Sequence, residues 1–119
     1  LADGWLGAAV TPVEAGAARV TIAGAAAEAG RTIDPEHFGL SIPYARTEPS
    51  AQTVAALQAR RPDADPGELL PVGAQALRAL VSELVDQGLS KFVVRPVAPV
   101  SSWTDELSWL GDTLLELQT

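Results

Sequence analysis

The sequence predicts an α/β domain with parallel strands, and three observations carry that expectation. Between Gly73 and Gly88, Leu77, Leu80, Val81, Leu84 and Val85 recur at i, i+3, i+4, i+7 and i+8, the spacing of one apolar helix face. Just after Gly88, Lys91-Phe-Val-Val-Arg95 is a short apolar run rich in β-branched residues, as a buried strand requires. Upstream, His37 to Ala45 alternates strictly, with Phe38, Leu40, Ile42 and Tyr44 on one face and His37, Gly39, Ser41 and Pro43 on the other. Helices that separate strands imply parallel pairing through crossovers, here in the order β-α-β-α-α-β-α. At about 1.5 to 3 kcal/mol per buried aliphatic side chain, the stripe from Leu77 to Val85 must lie on an apolar surface, and a sheet is the natural one.

Taken in order, Asp3 to Val10 reads as a short strand and a loop. Thr11-Pro12-Val13-Glu14 starts a helix: Thr11 caps, Pro12 suits the first turn, and Glu14 can return a bond to the Thr11 amide. That helix runs to about Ala29, with Val13, Ala17, Val20, Gly24 and Ala27 as its shallow stripe, and Gly30 closes it. Asp34-Pro35 marks a turn into the alternating strand, and Pro43, lacking a donor, belongs near that strand's end. Ser50 to Arg60 forms a short helix through Val54 and Leu57, and Arg61 to Gly67 is expected to be a solvated, mobile loop. Gly88 ends the major helix in the left-handed conformation. After a loop from Val97 to Ser102, Ser102 and Asp105 cap a last helix whose stripe is Leu107, Leu110, Leu114 and Leu117, joined by Trp103.

Composition narrows the function. The 119 residues suit one domain with a modest core, spanning 1–119. Fifteen acids against eight bases give a net charge of −7, and no basic cluster exceeds Arg60-Arg61, which disfavours a nucleic-acid partner. The absence of cysteine removes disulfide and thiolate chemistry, and the single His37 cannot build a multi-histidine centre, so no metal is expected. No apolar run approaches the length of a membrane span and no signal-peptide pattern is visible, so a cytoplasmic protein without a membrane partner is expected. The chain contains no Met and begins Leu-Ala-Asp-Gly-Trp, which suggests a piece of a longer protein.

Several segments carry a further signal together: Ala2-Asp3-Gly4-Trp5, Thr11-Pro12 with Glu14, Ala26 to Arg31 (AAEAGR), Val72-Gly73, and Gly88 with Lys91-Phe92-Val93-Val94-Arg95-Pro96. In this order they resemble the carboxy-terminal part of luciferase-like monooxygenases, in particular the branch that uses the deazaflavin coenzyme F420. The resemblance spans nearly the whole chain. It implies a (β/α)8 TIM barrel that carries out hydride transfer or monooxygenation on a small-molecule substrate. Such a barrel needs about 250 residues, so this chain would supply three βα units, the sixth to the eighth, as an incomplete domain. On this reading the isolated fragment is inactive and holds no cofactor tightly. FMN in place of F420 is the related alternative; a free-standing α/β binding module without catalysis is the unrelated one.

In a parallel barrel the chemistry sits at the carboxyl ends of the strands, which selects the candidate residues. Arg95 stands at a strand's end on the face of Val93 and Lys91, where its donors suit a phosphate or carboxylate; an ion pair with a neighbouring acid is the plainer reading. Ser41 lies on the small face of the preceding strand, where it binds ligand or only makes room. Asp3 and Trp5 open the first strand, and Trp5 can border an isoalloxazine-like ring or simply pack. Ser101 and Ser102 offer an anion site at a helix start, or only a cap. His37 belongs to the amino-terminal, stability side, and Trp103 and Trp109 read as packing residues. No catalytic residue is assigned. Three strands cut from a barrel leave two open edges and an uncovered face, so self-association into a homo-oligomer is expected.

Overall fold

The computed structural model describes residues 5–8, 10–33 and 37–117. Its elements are β1 (Trp5–Ala8), α1 (Pro12–Glu28), β2 (Phe38–Tyr44), α2 (Ala51–Arg60), α3 (Pro66–Leu69), α4 (Ala74–Asp86), β3 (Lys91–Pro96) and α5 (Trp103–Leu114), with a 3-10 turn at Leu115–Leu117. The predicted order is met, with the short α3 added. Its Pro66 and the Asp65 cap, whose side chain accepts from the Gly67 amide, start a turn that the loop composition had concealed.

The three strands form one parallel sheet in the order β1-β2-β3. Each crossover therefore steps in the same direction, and crossovers of one hand then lay their helices on one face. The core follows from this: Phe38, Leu40, Ile42 and Tyr44 of β2 are buried against Ala15 of α1 and Leu77, Leu80, Val81 and Leu84 of α4, with Trp109, Leu110 and Leu114 of α5 alongside. The alternate residues of β3, Lys91, Val93 and Arg95, are exposed, and Val93 retains 49% of its surface. Among the described residues no helix covers them. The radius of gyration, 15.3 Å, exceeds the roughly 13.5 Å of a compact chain this long, and the thinnest extent is 23 Å, as a sheet with one helical layer should measure.

The α4 stripe is buried as predicted at four positions; Val85, at 44% exposure, lies at its margin. Gly88, with φ +95°, closes α4 through a paired set of bonds, Leu89 N–H to Leu84 O at 3.0 Å and Gly88 N–H to Val85 O at 2.9 Å. Gly30 closes α1 in the same way, with Arg31 N–H donating to Ala26 O at 2.7 Å.

Two helix faces differ from the sequence expectation. In α1 the inward residues are Pro12, Ala15 and Gly16, continued by Ile22 and Ala23, while Val13 and Val20 of the expected stripe are 74% and 68% exposed. Alanine and glycine on every side leave such a helix with no strong apolar phase. In α5 the buried positions are Glu106 and Thr113, beside partly buried Trp109, Leu110 and Leu114, while Trp103 and Leu107 are 59% and 61% exposed. Trp103 therefore does not join the packing stripe. The rotation keeps Leu110, Leu114 and Leu117 at the core and exchanges Leu107 for a carboxylate.

The segment after α2 is tied down on one side. Arg61 donates from both terminal nitrogens to the Glu14 carboxylate, at 3.0 and 2.8 Å, and its Nε donates to Asp63. Glu14 also accepts from the Thr11 amide at 2.8 Å, completing the predicted capping box. The Arg61 guanidinium, followed by the Thr11 amide, holds the Glu14 carboxyl below its usual range. Among the described residues no helix is long and apolar enough to cross a membrane.

Candidate functional site

β2 and β3 align Ser41 with Val93 and Pro43 with Arg95. Because side chains alternate along a strand, Ser41, Val93 and Arg95 all belong to the uncovered face. Arg95 Nε donates to Ser41 Oγ at 3.0 Å. Two residues singled out on separate strands are thus joined directly near the carboxyl end of the sheet. Among the described residues no acid pairs with Arg95, and its guanidinium makes no second hydrogen bond.

A second feature lies on the other side of the same strand ends. Tyr44 and Pro96, register partners at the ends of β2 and β3, belong to the helix-covered alternation and line a cleft of about 530 Å³. The segments 45–50 and 97–102 and the first turn of α5 complete its walls. Ser101 and Ser102 are on that wall, but the Ser102 hydroxyl is taken as the α5 cap, accepting from the Asp105 amide at 3.3 Å. The acids Asp105 and Glu106 fill the first turn of α5, so the positive end of its dipole already has negative partners.

Arg46 donates to Asp105 Oδ2 at 2.9 Å and lies 3.8 Å from Glu106 Oε2. Its guanidinium sits over the Trp109 ring, 5.1 Å from the centroid, and Trp109 in turn stacks on Tyr44 at 5.5 Å and 15°. Trp109 packs as expected. Burial first, and then the neighbouring Glu106 carboxylate, push the Tyr44 phenol up to about 12. The two side chains are close enough for hydrogen bonding between them to add to that upward push, and Tyr44 Oη and Glu106 Oε1 are both buried.

No protein-family model, no curated protein and no solved structure matches this chain.

The remaining candidates are dispersed. Trp5 pairs with Phe38 at the amino end of the sheet, away from the register of Ser41 with Ala8, and its side chain lies outside the described part. Asp3 falls outside the described residues. His37 sits immediately before β2, at the amino end as expected. Among the described residues, no three His, Cys, Asp or Glu side chains come together to hold a metal ion.

Tyr44, Arg46 and Glu106 were not selected from the sequence. The available signal was Glu106 itself: Glu106, Trp109, Leu110, Thr113, Leu114 and Leu117 recur at helical spacing, which places a carboxylate in an otherwise apolar stripe.

Proposed function

We propose that this chain is a three-unit arc of a (β/α)8 barrel and forms part of the wall and mouth of a luciferase-like oxidoreductase that uses deazaflavin F420 or FMN. The observation that supports it most is the one-sided sheet. Strands added strictly in order, with helices on one face and Gly39, Ser41 and Val93 at the centre of the other, are what a barrel segment needs, whereas a doubly wound sheet reverses direction and is covered on both faces. On this reading Gly39, Ser41 and Val93 face the barrel interior.

Arg95 then stands at the mouth, steadied by Ser41 through one nitrogen and free to offer the others to an anionic group. The chain's residues fit one end of such a cofactor, its phosphate or carboxylate, and supply no wall for the ring; that part of the site belongs to the other units of the barrel. The cofactor brings the hydride or oxygen chemistry, and these residues bind and orient it.

The test begins with the coding frame upstream of Leu1, followed by titration of its whole product with F420 and with FMN. The proposal expects about five further βα units, cofactor binding, and weaker binding in Arg95→Ala. An initiating Met directly before Leu1, with no cofactor bound, overturns it.

A further inference from the structure

We propose that residues 47–65 form a hinged strap at the carboxyl ends of the strands, with the Arg61–Glu14 pair as its latch. The device is built from this chain alone and does not rest on the barrel reading. The chain leaves the core at Tyr44 and Ala45 and re-enters it at Leu69, Leu70 and Pro71, all of them buried, whereas none of residues 46–68 is buried. The two legs are closed at the root by the bridge between Ala45 and Val72, where Ala45 N–H donates to Pro71 O at 3.1 Å and Gly73 N–H donates to Ala45 O at 2.8 Å. α2 lies wholly within the strap and has no buried residue. A ten-residue helix that buries no side chain is marginal by itself, so its attachments to the body decide whether it stays in place.

Two arginines attach the segment, and they meet equivalent acids. Glu14 and Asp105 each hold the third position of the helix that follows an outer strand, and each donates its amide to the capping hydroxyl, Thr11 Oγ1 or Ser102 Oγ, at 3.3 Å. Arg46, at the root, donates to Asp105 at 2.9 Å. Arg61, at the far end of α2, donates to both Glu14 oxygens at 3.0 and 2.8 Å. Because the first turns of α1 and α5 lie past the ends of β1 and β3, the segment that rises from β2 is pinned towards both neighbours. The pins are unequal. The Arg46 guanidinium also lies over Trp109, which stacks on buried Tyr44, whereas Glu14 is 43% exposed at its side chain, and exposed ion pairs hold weakly. The strap therefore opens at the Arg61 end, about its root. Pro49, Ser50 and Thr53 form one wall of the cleft, so opening uncovers it.

Native-state hydrogen exchange of the full chain, read amide by amide, tests the strap and the latch separately. In the unsubstituted chain the amides of residues 54–60 should exchange as one group, about a hundredfold or more faster than those of residues 78–84 in α4. Arg61→Gln removes the latch from one side. Glu14→Gln removes its charge from the other side while still able to complete the capping box with Thr11. Each variant should speed exchange in α2 by about two- to fivefold and leave α4 unchanged. The comparison of α2 with α4 in the unsubstituted chain stands even if a variant fails to fold. Exchange of α2 at the rate of α4, exchange in α2 that neither variant alters, or acceleration of α2 and α4 together overturns the proposal.

Discussion

Arg95 Nε donates to Ser41 Oγ at 3.0 Å, across adjacent parallel strands and on the sheet face opposite the helix-covered core. A bond at an exposed position contributes little to folding, because water replaces it when it is lost. Its consequence is orientation: a guanidinium held through one nitrogen keeps the rest of its fork in a defined direction. Ser41→Ala and Arg95→Ala should therefore each leave the melting temperature within about 2 °C, and if the proposed cofactor role holds, Arg95→Ala should also lower cofactor affinity. A large loss of thermal stability in either variant would assign the pair to the fold.

Gly39 stands where a side chain has no room. A Cβ there would lie 2.5 Å from the Lys91 carbonyl oxygen and 2.9 Å from Lys91 Cβ, so β2 and β3 would have to separate. Gly39→Ala should cost about 1 to 3 kcal/mol, read as a fall in the urea midpoint at unchanged slope. An unchanged midpoint would mean that the two strands yield locally without loss of packing.

Tyr44 predicts an alkaline limit. Burial and the Glu106 charge raise its folded pKa from 10 to about 12, with Arg46 opposing. A folded value above the unfolded one stabilises the fold fully below pH 10, and that contribution is lost as pH rises from 10 towards 12. Tyr44→Phe should flatten this limb of a stability profile measured by denaturant titration. A limb of the same slope in the variant would assign it to other groups.

The parts of the fold legible in the sequence were those where chemistry repeats with a clear period. The β2 alternation placed Phe38, Leu40, Ile42 and Tyr44 on the buried face, and Leu77 to Leu84 fixed the α4 face, because large apolar and polar residues exchange there at every step. In α1 the same reasoning chose the exposed face, since alanines look alike all round and the decisive contacts come from α4. In α5 a leucine stripe drew attention away from Glu106, whose surroundings are set by Tyr44 at the end of β2 and Arg46 in the loop that follows it. Arg95 and Ser41 were each visible as strand residues, but their hydrogen bond depends on the register between strands, which neither strand encodes alone. The cleft was illegible for a similar reason: it is made by loops 45–50 and 97–102, distant in sequence, that meet only once β2 and β3 pair.

The uncovered face carries the main structural claim, because Val93 is 49% exposed there and β1 and β3 are the outer strands of an open sheet. In a barrel the remaining strands cover both edges and the face; in the isolated chain a second copy is the available cover. Val93→Glu, which places a charge at the centre of that face, should weaken such an association without disturbing the helix-covered core. The direct measurement is light scattering of the purified chain at micromolar concentration. The account predicts a dimer or larger symmetric assembly that Val93→Glu dissociates, and a stable, dispersed monomer of 12.4 kDa would contradict it.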